Sequence, residues 1–268
     1  MNKQFYDSIQ KAEAIVIGAG AGLSEAAGLH YSGEDFTSRF QYMKDRYQVE
    51  DMFSASFAPF PTLEEYWGFY SLFLYHNRYE TGPLPLYRRL LSLLAGKNYF
   101  VLTSNVDAQF LLSGFSNESL FATQGDYGEL VCPVCRKVLP GESYIRKMVK
   151  EITPDHRIPT SLIPLCPSCR SPLLPHLKTD SSFLVTPVYQ EANRRYNHFL
   201  YLNQDKKILF LELGVGLDSP SVIRDPFFEM TARFPFATLL LINKEELPVP
   251  ERDKGKTIRI LEGIEDIF

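Results

Sequence analysis

The chain has four cysteines, and they fall as two Cys-x-x-Cys pairs, Cys132/Cys135 and Cys166/Cys169. A tight turn offers two thiolates from one such pair. Two pairs complete a tetrahedral shell for zinc and leave no position open for water. The spacing therefore predicts a structural zinc ribbon, not a catalytic metal. Two alternatives use the same residues. Disulfides belong to secreted chains, and residues 1–10 carry no apolar signal segment. A redox dithiol needs a single pair at a helix start. Zinc is the reading that uses all four thiols, and it goes with a cytoplasmic protein.

The rest of the chain has a different rhythm. Short apolar runs occur at 14–17, 99–103, 119–122, 208–213, 237–242 and 257–261, with helical patterns between several of them, including 86–94 and 187–202. Strands that alternate with helices predict an α/β protein, a Rossmann-like, doubly wound parallel sheet. Two stretches break the alternation. Residues 34–80 are aromatic and helical in character, with Tyr66, Trp67, Phe69, Tyr70, Phe73 and Leu74 too dense for a one-sided helix. Residues 127–180 hold the cysteines and many prolines. The expected division is a dinucleotide-binding domain from 1–33, 81–126 and 181–268, a helical insertion at 34–80 and a zinc-ribbon insertion at 127–180, the two insertions forming a small lobe. Residues 146–164 show no clear pattern. At 268 residues and 45% hydrophobic the chain can hold a sizeable core. No apolar run is long enough for a membrane helix. A net charge of −4 argues against a general nucleic-acid binder. The one basic cluster, residues 146–150, reads as a solvated face.

In an open parallel sheet, ligands bind beyond the carboxyl ends of the strands. Reading the residues after each run gives one edge. It holds Gly20, Ala21, Gly22 and Ser24; then Ser104, Asn105 and Asp107; then Gln124 and Gly125; then Gly214, Val215, Gly216 and Asp218; then Asn243 and Lys244. Glycines that admit a pyrophosphate, with amides and carboxylates for ribose hydroxyls, suit a dinucleotide. The dehydrogenase fingerprint is only partly met. Leu23 stands where it needs Gly or Ala, and 36–47 is not the acid-ending second strand. Hydride transfer is disfavoured. Plainer roles compete at each position: a close-packed strand–helix turn for the glycines, helix caps for Asn105, Asp107 and Asp218, a surface amide for Gln124, and core packing for Trp67.

These residues resemble the sirtuins. Gly20-Ala21-Gly22-Leu23-Ser24 followed by Gly28-Leu29 is similar to their Gly-Ala-Gly-x-Ser…Gly-Ile loop. Thr103-Ser104-Asn105-Val106-Asp107 resembles their Thr-Gln-Asn-Ile-Asp. Gln124-Gly125 falls at the spacing before Cys132 where they carry His-Gly, and both cysteine pairs match their zinc ribbon. Gly214-Val215-Gly216 and Ile242-Asn243 stand for their Gly-Thr-Ser and Ile-Asn. The resemblance spans nearly the whole chain and implies NAD as co-substrate. It places the NAD site at Gly20, Ala21, Gly22, Ser24, Ala26, Gly28, Ser104, Asn105, Asp107, Gln124, Gly214, Val215, Gly216, Asn243 and Lys244. It makes Asn105 the residue that orients groups around the nicotinamide pocket, and Asp107 the holder of the carboxamide.

The departures bear on function. Sirtuins deacylate lysine with a histidine as general base, and here Gln124 replaces it. An amide hydrogen-bonds a ribose hydroxyl but takes no proton near neutral pH. His30-Tyr31-Ser32-Gly33 replaces Pro-Asp-Phe-Arg, which leaves Tyr31 or Phe36 as candidate covers for the nicotinamide ring. Leu177-Lys178-Thr179 replaces the peptide-binding Phe-Gly-Glu, and His176 is a candidate substitute base or a structural residue. The combination resembles the macrodomain-linked sirtuins of microbes, which act as protein ADP-ribosyltransferases. That resemblance implies catalytic Asn105, Asp107 and Gln124. It also implies a lipoylated carrier related to the glycine-cleavage H protein as target, and a macrodomain hydrolase as functional partner. A lysine deacylase, a non-catalytic NAD or ADP-ribose sensor and a free NAD hydrolase are the competing functions.

Overall fold

Residues 14–17 are apolar at every position because the strand they form is covered on both faces. The computed structural model describes residues 2–178, 183–216 and 220–268, so Thr179 and Asp218 lie outside the described residues. In chain order the strands are β1 Ala14–Ala19, β2 Tyr99–Thr103, β3 Leu120–Ala122, β4 Gly125–Val131, β5 Val138–Pro140, β6 Leu174–Leu177, β7 Ile208–Leu213, β8 Thr238–Ile242 and β9 Thr257–Ile260. The chain divides into two compact units. One is Met1–Gly28, Pro83–Gln124 and Val185–Phe268; the other is Leu29–Gly82 and Gly125–Leu184.

The first unit is built on a six-stranded sheet in the order β3-β2-β1-β7-β8-β9. Every pairing is parallel, and Ala19 of β1 stands opposite both Thr103 of β2 and Leu213 of β7. Ala122, Ile242 and Ile260 continue the same line, so all six strands end together. Strand residues alternate between two cores. Ile15 and Ile17 pack with Leu86, Tyr87 and Leu90 from the helix Pro85–Leu93. Val16 and Phe210 pack with Tyr196 and Leu200 from the helix Pro187–Asn203 and with Phe227 from the helix Arg224–Arg233. Burial on both faces is why period-two alternation is missing from the sequence. The helix over 187–203 starts where its chemistry requires: Pro187 opens it, and Thr186 Oγ1 accepts from Tyr189 N at 3.1 Å.

The second unit begins with helices Gly33–Tyr47, Met52–Ser56 and Leu63–Leu74, the last running into a π-helical turn, Tyr75–Glu80. Trp67 and Phe69 are wholly buried, and Leu63–Leu74 is apolar on most of its circumference. The three-stranded antiparallel sheet β5-β4-β6 follows. The stretch over 146–164 is not patternless. It carries the end of a helix, Glu142–Lys150, whose inner face is only Ile145 and Met148, too short a stripe to stand out by periodicity. The basic cluster is a solvated face, with Arg146, Lys147 and Lys150 exposed. Arg146 also bonds Glu142 Oε1 at 2.8 Å and lies over the rings of Tyr75 and Tyr79 at 5.6 and 5.4 Å, a cation–π arrangement.

Candidate active site and metal centre

Along the first unit's sheet the chain leaves β1 toward β2 and β3 and returns to β7 on β1's other side. The topological switch point is therefore at the carboxyl ends of β1 and β7, where an open sheet takes a ligand. Both loops there are glycine-rich, and they lie backbone on backbone. Gly20 N donates to Leu213 O at 3.0 Å and Gly22 N to Gly214 O at 2.9 Å. A Cβ on Gly22 would come within 2.9 Å of both Gly214 Cα and its carbonyl oxygen. Gly214 has φ +61°, and a Cβ there would meet Gly22 C and Leu23 N at 2.5 Å. The loop-on-loop approach alone thus demands glycine at both positions, whatever ligand they serve.

Beside these loops Ser24, Asn105, Asp107 and Tyr87 form one buried hydrogen-bonded group. Ser24 Oγ donates to Asp107 Oδ2 at 2.5 Å and lies 2.9 Å from Tyr87 Oη. Asn105 Nδ2 donates to Gly20 O at 2.9 Å and to Ser24 Oγ at 3.1 Å, with Tyr87 Oη at 3.4 Å. A backbone carbonyl only accepts, so the amide nitrogen must be the atom that faces Gly20. Asn105 N donates to Thr103 Oγ1 at 3.0 Å, and Gln109 N donates to Asp107 Oδ1 at 2.9 Å. Burial, and then the nearby charge of Asp107, push the Tyr87 phenol well above its ordinary value, and it stays protonated.

The remaining edge residues have separate settings. Val215 and Asn243 meet, Asn243 Nδ2 donating to Val215 O at 3.3 Å. Asn243 Oδ1 accepts from Glu245 N, and exposed Lys244 pairs with Glu265 at 2.6 Å. Ala21 and Gly216 are exposed, and Ser104 N donates to Ala19 O. Ala26 packs on the core, and Gly28, at φ +100°, closes the helix Ala21–Ala26. Gln124 follows β3, half-buried, and its side chain has no hydrogen-bond partner among the described residues.

An ion pair that the sequence reading missed supports the β7 loop. Glu212 sits in the middle of the apolar run of β7, wholly buried, and Arg224 is 3% exposed. Arg224 Nε and Nη2 donate to Glu212 Oε1 at 3.0 and 2.6 Å. The same guanidinium bonds Val215 O and reaches Gly216 O at 3.4 Å, so it holds both loop carbonyls. A glutamate inside a strand run was the available signal.

In the second unit the four cysteine sulfurs lie within 4.8 Å of one another. The two knuckles repeat one design. Cys132 N and Cys166 N close the turns by donating to Lys137 O and Ser171 O, each at 2.8 Å. Arg136 and Arg170 both take positive φ, 57° and 64°. Proton sharing with Cys169 pushes the Cys135 thiol up to about 12, while the Ser171 hydroxyl and then Cys135 pull Cys169 down to about 6. Four adjacent thiols do not ionise together without a cation. The all-sulfur donor set, closed and tetrahedral in number, fits zinc.

His176 lies in β6 and is 4% exposed. Its Nδ1 is 2.8 Å from Glu129 Oε2 and its Nε2 is 2.9 Å from Leu184 O. Burial opposes its protonation, but the bonds to Glu129 and Leu184 outweigh it and raise the pKa. With both nitrogens facing acceptors, the setting favours the protonated ring and leaves neither nitrogen open to a substrate. Gly125, at φ +95°, lets the backbone of β6 approach: a Cβ there would lie 1.9 Å from His176 O. Phe36 is wholly buried and stacked against Phe40.

The first unit's sheet, its glycine loops and the cysteine ribbon of the second unit are the parts of a sirtuin fold. A structure of Sir2 with a p53 peptide and NAD+ aligns over 99% of this chain and 95% of its own, at 21% identity and a TM-score of 0.61. A sirtuin structure concerned with substrate affinity aligns over 99% and 96%, at 19% identity and a TM-score of 0.64. No family model matches the chain. In sequence it is 34% identical over 267 residues to a protein ADP-ribosyltransferase of Staphylococcus aureus, covering 97% of this chain and 84% of that protein. It is 32% identical over 236 residues to a probable bifunctional ADP-ribose hydrolase/ADP-ribosyltransferase of Fusarium oxysporum, covering 84% of this chain and 39% of that protein. The chain belongs to the family of protein ADP-ribosyltransferases, built on the sirtuin fold. Among the described residues no helix is long and apolar enough to cross a membrane.

Proposed function

We propose that this protein transfers ADP-ribose from NAD to a protein side chain and releases nicotinamide. The observation that carries the reading is the treatment of the two candidate bases. Gln124 stands where deacylating sirtuins carry histidine, and His176 has both ring nitrogens committed to acceptors. A deacylase needs a proton acceptor of suitable pKa for the ribose hydroxyl. A transferase depends mainly on positioning and charge stabilisation. The names of the Staphylococcus and Fusarium relatives point the same way.

NAD, as substrate, supplies the ADP-ribosyl group: its bond to nicotinamide breaks with the electron pair going to nicotinamide. A side-chain nucleophile of the target then bonds the ribose carbon and releases its proton to water. In this reading the first unit binds NAD. Gly20, Ala21, Gly22 and Ser24, with Ala26 and Gly28 behind them, carry the pyrophosphate side. Gly214, Val215, Gly216, Asn243 and Lys244 carry the adenosine side. Ser104 lines the pocket. Asn105 orients groups about the scissile bond, Asp107 holds the carboxamide, and Gln124 positions a ribose hydroxyl. The target we assign is a lipoylated carrier of the glycine-cleavage H type, in the cytoplasm, with a macrodomain hydrolase removing the mark. The Fusarium relative, named for both hydrolase and transferase, supports that coupling.

The test uses NAD labelled in its adenylate part, an acyl-lysine peptide and a lipoylated carrier protein. Label on the carrier and no deacylated peptide is the expected outcome, and Asn105→Ala abolishes labelling while the chain stays folded. Lost general-base catalysis is worth about 10²–10⁴-fold, so deacylation falls to background. Rapid NAD-dependent deacylation by the unaltered chain would overturn the reading in favour of a deacylase.

A further inference from the structure

We propose that Tyr87 is a positioning residue that fixes Asn105 so that its amide oxygen, and not its amide hydrogens, meets the ligand. The inference deepens the NAD reading of the site and rests on it for its catalytic arm.

The argument is a count of protons and lone pairs. Asp107 accepts the one proton that Ser24 has, at 2.5 Å. Ser24 Oγ is therefore an acceptor toward everything else around it, and it has two lone pairs. Tyr87 Oη, 2.9 Å away, must be the donor in that contact. The second lone pair takes a hydrogen from Asn105 Nδ2 at 3.1 Å, and the other amide hydrogen goes to Gly20 O at 2.9 Å. Both hydrogens of Asn105 are thus spent inside the chain. Its Oδ1 has no partner among the described residues, and Asn105 keeps 9% of its surface open. Whatever the side chain contacts must bring a hydrogen-bond donor: a hydroxyl, a water or an amide N–H.

Tyr87 enforces this order. It is wholly buried on the helix Pro85–Leu93, held edge-on against Phe110 with ring centroids 4.9 Å apart. Its hydroxyl touches Ser24 and Asn105 and nothing in the mechanism above uses it. Without that hydroxyl, Ser24 Oγ has a vacant lone pair and is free to turn. Asn105 then keeps one firm anchor, Gly20 O, about which the amide swings.

The experiment compares the full chain with Tyr87→Phe, which deletes one buried oxygen and keeps the ring. Asparagine is labelled with ¹⁵N, and the Asn105 side-chain signal is assigned by its loss in Asn105→Ala. In the unaltered chain the Asn105 amide hydrogens and a Tyr87 hydroxyl proton exchange slowly with water. In Tyr87→Phe the Asn105 amide exchanges at least about tenfold faster. Nicotinamide release from NAD shows kcat down about 10- to 100-fold, with KM for NAD changed less than about threefold. An Asn105 amide as protected in the variant as in the unaltered chain overturns the proposal, whether or not kcat falls. So does an Asn105 amide that exchanges in the unaltered chain like an exposed one, a result that needs no folded variant. An unaltered chain that never consumes NAD defeats the transferase reading alone, and the exchange comparison still decides whether Tyr87 holds Asn105.

Discussion

Arg224→Met is the perturbation whose size follows most directly from the structure. It removes the cation beside Glu212, a wholly buried carboxylate whose Oε1 takes two guanidinium bonds and whose Oε2 has no hydrogen-bond partner among the described residues. Stranding one member of a buried pair typically costs about 3–5 kcal/mol. Here there is a ceiling, because the glutamate can instead take up a proton. From the ordinary value of 4.5, protonation costs about 1.4 kcal/mol per pH unit, hence about 4 kcal/mol at pH 7.5 and about 1.4 kcal/mol at pH 5.5. The sign follows from proton counts. Burial already raises the Glu212 pKa, partly offset by Arg224, and without Arg224 it rises further. Above pH 4.5 the unfolded chain is ionised at this position while the folded variant keeps its proton. Folded protein then binds more protons, so stability falls as pH rises. Urea denaturation at pH 5.5, 6.5 and 7.5 should show a loss that grows with pH, by at most about 1.4 kcal/mol per unit, because the unaltered chain's own Glu212 is already raised. A loss that is the same at all three pH values, or below about 1 kcal/mol at pH 7.5, would refute the reasoning. Glu212→Leu combined with Arg224→Met removes both charges and should erase the pH-dependent part.

Three further outcomes are expected. Metal analysis of the purified chain should find about one zinc per chain, and Cys132→Ser should lose the metal and unfold the β4-β5-β6 sheet, since site formation is coupled to folding; a folded, zinc-free wild type refutes this. Gly22→Ala should cost about 1–3 kcal/mol in the absence of any ligand, because the new methyl meets Gly214 backbone at 2.9 Å; unchanged thermal stability with lost NAD binding would assign that glycine to the pyrophosphate instead. The raised pKa of His176 predicts a contribution that is fully present below its ordinary value of 6.5 and lost as pH rises through the folded pKa; His176→Gln should flatten that part of the stability–pH curve, and an unchanged curve counts against the protonated ring.

The strand ends were readable because a parallel strand covered on both faces leaves an uninterrupted apolar run, as at 208–213, and the polar residues after it announce the edge. The helix over 187–203 was readable from its helical pattern over 187–202. The helix over 142–150 was not, since two buried residues one turn apart make no period. The group around Asn105 was partly legible: the residues stand in their motifs, but their mutual bonds do not. Tyr87 looks in sequence like any aromatic on a core-facing helix, and its contact with Ser24 joins positions 63 residues apart.

Local chemistry set a great deal of this protein by itself. Soft ligands in two tight turns specify a metal, and apolar runs specify buried strands; neither depends on where the rest of the chain goes. Tertiary structure decided the direction of each hydrogen bond and the reason for each glycine. Gly22 and Gly214 are separated by most of the chain, and only the parallel pairing of β1 with β7 brings their backbones together. Arg224 and Glu212 are an exposed-looking cation and a misplaced acid until the fold buries both. Whether Asn105 offers an oxygen or an amide hydrogen is likewise a property of what Gly20, Ser24 and Tyr87 leave unsatisfied. Hydrogen bonds are directional and saturable, so their outcome is set by the full set of neighbours, and that set exists only once the chain has folded.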